Sequence, residues 1–394
     1  MGNDNPVVRL AATSPNLEIW WDSSPLIYED WLGGTGKPYE DARLFLPGPR
    51  ERGLTRFAPE SVLQGSTTNQ PLTWQVIDGD PAPWVGFVQA QRAREPEISV
   101  QEAMWRLFIA VAARGADRLA LIFEASGYRR GQICCQVDPR DLTDLDAMLA
   151  QARRIHAARP NIMVKMPGSK EGIEGVRILT SEGIPTNVTL GFTVSQLIAV
   201  GEAARAGLEE AGRRGTDLRY WRSCAVMMLG RYEDAPPFGA QARAAGIELS
   251  EADIRWAGIA IARKAHRLFR ERGYASQLLA ASMRVGPTID GKVHVWHLEK
   301  LAGMNGVLTV FPNIFEAFLA NYVDRPLEPQ IDEPVPDEVL ERLLSVPYFA
   351  EAYDERGIAP EDWIHHPALV ATANSFVQSM ESVEAFTARQ LAAG

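Results

Sequence analysis

From about residue 117 to 312 the chain repeats one pattern, a short apolar run followed by a loop and an amphipathic stretch. This repeat limits the fold more than any other feature. The runs are ICCQV (133–137), NIMVKM (161–166), IPTNVTL (184–190), SCAVMML (223–229), QLLAASM (277–283) and GVLTVF (306–311). Nearly continuous in apolar or β-branched residues, they suit parallel strands buried on both faces, and their alternation with helical stretches is the signature of βα units. Two further candidates upstream, LEIWWD (17–22) and SVLQGST (61–67), bring the strands to the number that closes a (β/α)8 TIM barrel. One crossover helix is legible in detail: Ser250 caps it, Asp253 completes a capping box, Ile254, Ile261, Ala265, Leu268 and Phe269 form one stripe, and Gly273 ends it.

The segments 23–60 and 71–99, rich in Pro, Gly, Trp and charge, are expected as loop insertions around the barrel mouth. Trp20, Trp21, Trp31, Trp74 and Trp84 cluster there, expected to pack long loops, with stacking on a large acceptor as the alternative. After about residue 325 the βα pattern stops at RPLEPQIDEPVP, a Pro- and acid-rich linker, and helices are expected from Asp337 onward. The domain reading is a barrel over 1–325 carrying those insertions, with a C-terminal helical extension over 326–394 packed on it.

At 394 residues, 46% hydrophobic and 23% charged, the chain can bury a large core and is not built for disorder. A net charge of −10 gives no global attraction to nucleic acid or an anionic membrane, and no apolar run is long enough to span a bilayer. The stretch MGNDNPVVRLAATSPN has no apolar signal-like core, so a cytoplasmic location is expected. Cys134, Cys135 and Cys224 are too few for a disulfide scaffold and lack zinc-ligand spacing, and are read as reduced structural thiols. His294 and His297 share i, i+3 spacing without a third ligand, and the GxG fragment near residue 34 lacks the flanking strand and helix of a dinucleotide site. Neither a metal nor a cofactor is expected. His365 and His366 read as surface residues near a helix start.

Lys165 lies inside an otherwise apolar strand, near its C-terminal end and just before a Pro-Gly turn. A charge there is costly. Burial depresses a lysine pKa and yields the neutral amine that can attack a ketone and form an iminium ion, and in barrels that end of a strand faces the active site. On position alone a snorkelling or ion-paired lysine is the competing reading.

The surrounding segment NIMVKMPGSKEGIEGVRILTSEGIPTNVTL closely resembles the Schiff-base region of transaldolases. The similarity extends through ADRLALIFEASGYRRGQICCQVDPR, LGRYED, AASMR and GVLTVF, covering roughly residues 17–22 and 60–320. The resemblance implies Lys165 as the Schiff-base nucleophile and Asp22 as the carboxylate that takes the proton of the donor's C4 hydroxyl. It implies that Asn69 and Asn187 position the intermediate, and that Thr189 helps hold the catalytic water. Arg231, Ser282 and Arg284 match the family's phosphate site. Phosphorylated sugars are the implied substrates, and a homodimer is the implied assembly.

The chain departs from the family's pattern inside the expected pocket. Gln136 stands where typical transaldolases carry a glutamate; an amide can orient water but cannot take its proton. A glutamine there is what the related fructose-6-phosphate aldolases carry. Met228 occupies the position of their tyrosine and of the transaldolases' phenylalanine, and Val226 replaces a serine that contacts the donor. These two changes imply a more apolar donor side and a donor other than an ordinary fructose or sedoheptulose phosphate, or one whose C1 hydroxyl is absent or replaced. Gln70 between Asn69 and Pro71 is expected to displace that loop. The leading expectation is a ketol transferase using Lys165. Direct aldol addition through the same lysine and a non-catalytic sugar-phosphate-binding barrel are the alternatives.

Overall fold

Strands that read as apolar throughout have no solvent side, and a closed sheet wrapped in helices buries both of their faces. A computed structural model of the chain describes residues 5–34, 44–51 and 53–393. It contains one closed, parallel, eight-stranded barrel. The strands are β1 Leu17–Trp21, β2 Leu63–Ser66, β3 Gln132–Gln136, β4 Ile162–Pro167, β5 Thr186–Thr189, β6 Ser223–Met228, β7 Gln277–Ala281 and β8 Gly306–Val310. Each pairs with its neighbour in sequence, and β1 closes the ring by pairing with β8 on one side and β2 on the other. All eight expected strands are present.

Register pairs of a parallel barrel share a face, so one inward residue per strand identifies the rest. Lys165 pairs with Gln136 on one side and Asn187 on the other, which places three polar residues abreast on the inner face. Toward the other end of the strands, Arg222 donates to both oxygens of Glu18, at 2.9 and 3.1 Å, and to Gln277. The same Glu18 accepts from Trp20 Nε1 at 2.9 Å. Trp20 fills the barrel interior so closely that a Cβ on Gly65 would lie 2.5 Å from its ring, so β2 must carry glycine there. This ion-paired floor and the indole above it separate the C-terminal strand ends from the N-terminal end of the barrel.

The crossover helix Glu251–Glu271 forms as read, with Ser250 and Asp253 in a reciprocal capping box and Gly273 at φ +60° just beyond its end. The segment 71–99 departs from expectation. It is not a loop insertion but mostly two helices, Gln70–Gly79 and Ala82–Arg94, which lead into the long helix Val100–Ala125. Pro71 and Pro83 sit in the first turns of these helices, where a missing N–H costs nothing. The segment 23–60 holds a short helix, Tyr28–Gly34, and a hairpin, Pro47–Glu51 with Leu54–Phe57; residues 35–43 and 52 lie outside the described residues. The GxG fragment near residue 34 falls partly there too.

The tryptophans pack. Trp21 meets Tyr28, Trp31 and Phe315, Trp74 meets Phe386, and Trp84 lies under Arg114. The final helix, Pro367–Ala392, packs against Gln70–Gly79, Ala82–Arg94 and Val100–Ala125. His366, expected at the surface, is instead buried among Phe192, Tyr232 and Tyr348, with neither ring nitrogen hydrogen-bonded. Burial pushes its imidazole down to about 4. No helix among the described residues is long and apolar enough to cross a membrane.

Candidate active site

Nine of the eleven residues singled out in the sequence line one narrow cavity at the C-terminal ends of the strands, where barrel active sites are built. They are Lys165 on β4, Asn187 and Thr189 on β5, Val226 and Met228 on β6, with Asp22, Asn69, Arg231 and Ser282 from segments just beyond strand ends. Arg284 lines an adjoining cavity that shares Arg231 and Ser282 with the first. Gln136 does not line the cavity wall but is buried beside Lys165 in register.

The Lys165 side chain is 5% exposed, and its Nζ donates to the Thr68 carbonyl at 3.2 Å. Burial holds its ammonium below the usual lysine range, against the opposing attraction of Cys134 and Asp22, and Arg231 adds to the depression. Asp22 moves the other way. Burial raises its carboxyl above the usual range, while Lys165, the Thr67 hydroxyl and Arg231 pull it back. Its Oδ1 accepts from Thr67 Oγ1 at 2.7 Å, and that hydroxyl lies 2.6 Å from Thr309 Oγ1. The two shifts run in opposite directions, which makes the amine easier to deprotonate and the Asp22 carboxylate a stronger base.

Two amide oxygens beside the lysine have no hydrogen-bond partner, Gln136 Oε1 and Asn187 Oδ1. Buried polar atoms are rarely left so, and here both belong to the strands that flank Lys165. Asn187 Nδ2 is engaged with Cys134 Sγ at 2.8 Å. Burial drives that thiol up to about 11, so it stays protonated, and all three cysteines are free and buried. Thr189 Oγ1 donates to Met228 Sδ at 3.7 Å. Asn69 Oδ1 caps the helix Gln70–Gly79 through Leu72 N at 3.0 Å. Gln70, between Asn69 and Pro71, is buried and its Nε2 donates to the Val137 carbonyl at 2.9 Å, while Asn69 lines the cavity.

At the mouth, β6 runs directly into the short helix Leu229–Glu233, and a loop leaves β7 with Ser282 at φ +58°. The two are held together by Gly230 N donating to Ser282 O at 2.9 Å. A Cβ on Gly230 would lie 2.3 Å from that oxygen and 2.7 Å from Arg284 Cγ, so glycine is what lets Arg231 and Arg284 approach. Arg284 is fixed by Asp234 Oδ2 at 2.9 Å, and its backbone N–H donates to His297 Nδ1 at 2.9 Å. With Nδ1 accepting, the proton of His297 sits on Nε2 and is donated to Glu233 Oε1 at 2.8 Å; Glu233 also pairs with Arg255. His297 is thus a structural link rather than a metal ligand. Arg231 makes no carboxylate pair among the described residues; it lies 3.4 Å from Ser375 Oγ and over the Phe376 ring. Two guanidinium groups and a hydroxyl at one rim suit an anion such as a phosphate monoester.

Sequence reading missed Thr67, Leu279, Ala281, Thr309 and Phe311, which line the same cavity. Period-two alternation along β7 and β8 would have found Leu279, Ala281 and Thr309. Ser375 and Phe376 come from the final helix and carry no local signal.

The sequence profile of the Transaldolase/Fructose-6-phosphate aldolase family matches residues 50–360. A protein named transaldolase from Thiobacillus denitrificans is 32% identical over 238 residues, 59% of this chain and 64% of that protein. Transaldolase 1 of Streptomyces coelicolor is 36% identical over 138 residues, 34% of this chain and 36% of its own length. A transaldolase of Thermobifida fusca is 37% identical over 139 residues, 34% and 38% of the two chains. The aligned stretches therefore span less than two thirds of each relative, 64%, 36% and 38%. Asp22 precedes the stretch that the family profile matches, so its link to the site rests on geometry.

Proposed function

From the premise that the chain belongs to the transaldolase/fructose-6-phosphate aldolase family, we propose that it is a ketol transferase working through a Schiff base on Lys165. The observation that carries this reading is the buried Lys165, its ammonium disfavoured, in one cavity with Asp22 and next to the Arg231–Arg284 rim. The neutral amine attacks the C2 carbonyl of a phosphorylated ketose and loses water to give an iminium ion. Asp22 takes the C4 hydroxyl proton as the C3–C4 bond breaks; C4 leaves as an aldehyde, and the electron pair passes to the iminium to form an enamine. The enamine then adds through C3 to an acceptor aldehyde. Asn69 and Asn187 orient the intermediate, and Thr189 with Gln136 holds the water that hydrates and dehydrates it. Val226 and Met228 bound the donor, while Arg231, Ser282 and Arg284 hold its phosphate. The reaction needs no metal or cofactor. It takes place in the cytoplasm, and the assembly is a homodimer.

One observation favours a second reading. Gln136 cannot relay the water's proton as a glutamate would, and a glutamine at this position resembles the aldolases of the family, which add a free ketone directly to an aldehyde. A product assay separates the two. Incubation of a sugar-phosphate donor with an aldehyde is expected to yield the new ketose and an aldose phosphate in equal amounts. Product from free dihydroxyacetone or hydroxyacetone, without any from the sugar phosphate, would replace transfer by direct addition. Binding of sugar phosphates without turnover of any donor would leave only a binding protein.

A further inference from the structure

The cavity around Lys165 is divided by chemistry. Strands β1, β4 and β5 bring polar groups to it, among them Asp22, Asn187 and Thr189, and the β8 residue Thr309 adds a hydroxyl. Strands β6 and β7 bring Val226, Met228, Leu279 and Ala281. These four form two register pairs, Val226 with Leu279 and Met228 with Ala281, so they make one continuous face two strands wide. That face has no hydrogen-bond donor. Its one acceptor, the Met228 sulfur, already receives the Thr189 hydroxyl.

A substrate hydroxyl pressed against this face would lose water and gain no partner, whereas a methyl group would lose nothing and bury apolar surface. Resting on the Schiff-base reading above, the donor is fixed with C2 at Lys165, its C4 hydroxyl at Asp22 and its phosphate at the Arg231–Arg284 rim. That rim stands on the segments that follow β6 and β7, so Met228 and Ala281 lie next to it along the strands and Val226 with Leu279 lies deeper in the barrel. C1 is the branch that leads away from the anchor, toward the deeper apolar pair. We propose that C1 of the donor is a methyl group, so that the donor is a 1-deoxyketose phosphate and the transferred unit is hydroxyacetone rather than dihydroxyacetone. The steps balance as before. The C3–C4 bond breaks, the C4 hydroxyl proton goes to Asp22, and a new bond forms from C3 to the acceptor aldehyde. The products are an aldose phosphate and a new 1-deoxyketose.

The test compares 1-deoxyfructose 6-phosphate with fructose 6-phosphate, each with the same aldehyde, using the full-length protein. Initial rates are measured, and borohydride-trapped adducts are weighed; the two adducts differ by one oxygen. An apolar pocket rejects an added hydroxyl by roughly 10- to 100-fold, so the deoxy donor is expected to lead in kcat/KM by at least about tenfold. Val226→Ser supplies a hydroxyl to that face and is expected to narrow the gap. Equal rates, or a lead for fructose 6-phosphate, with Lys165 adducts from both would overturn the methyl assignment and leave the Schiff base standing. No adduct from either donor would overturn both. The wild-type comparison decides the matter even if the variant fails to fold.

Discussion

One of the departures from the transaldolase pattern exchanges a carboxylate oxygen for an amide nitrogen, with Gln at position 136. Its consequence is local, because Gln136 is in register with Lys165 and its Oε1 has no partner. Restoring the carboxylate by Gln136→Glu adds a general base next to the Schiff base, and turnover of the transfer reaction is expected to rise on the order of tenfold or more. Steady-state kinetics across pH would also show a new ionisation; an unchanged rate and profile would mean that the water is handled elsewhere. The chemistry of Lys165 was legible because a lysine in an apolar strand conflicts with burial unless it is used. Leu279 and Ala281 were legible in principle, by alternation along β7, but nothing marked apolar residues as functional until the cavity placed them beside Val226 and Met228. Ser375 was not legible at all, since its contact to Arg231 spans 144 residues.

At the level of elements, the eight barrel strands declared themselves because both of their faces are buried, whereas the hairpin Pro47–Glu51 with Leu54–Phe57, mostly exposed along its first strand, reads as loop in the sequence. Helices were harder. Gln70–Gly79 and Ala82–Arg94 were hidden by Pro71 and Pro83, which read as breakers but stand in first turns. The barrel floor was also invisible in advance, because Glu18 and Arg222 are far apart in sequence yet meet inside the ring. Both are buried, and Trp20, Gln132 and Gln277 complete their hydrogen bonds. Removing one partner leaves the other charge stranded, so Glu18→Leu is expected to cost about 3–5 kcal/mol of stability. Chemical denaturation would measure this; a loss within experimental error would show that the floor tolerates an unpaired arginine through water.

For the whole molecule, the last helix joins the barrel to the site. It starts at His366, whose ring lies in an aromatic cage, and it brings Ser375 and Phe376 to Arg231. The unfolded chain takes up a proton on this imidazole near the ordinary value of about 6.5, the folded chain only near 4. Between those values the unfolded state binds more protons, so stability falls as pH drops through this window, by about 3 kcal/mol from this residue alone. His156 and His266, also held low by burial, act in the same direction. Unfolding free energies measured from neutral pH down to pH ~4 should show that slope, reduced in His366→Phe; an equal slope in the variant would assign the effect to other groups. The central claim concerns one nitrogen. Borohydride reduction of the intact protein near neutral pH with a panel of ketose phosphates, followed by peptide mapping, tests it most directly. A single covalent adduct is expected on the peptide containing Lys165, absent in Lys165→Met and absent from the exposed, ion-paired Lys170. No adduct from any ketose, or one that survives in Lys165→Met, would contradict it.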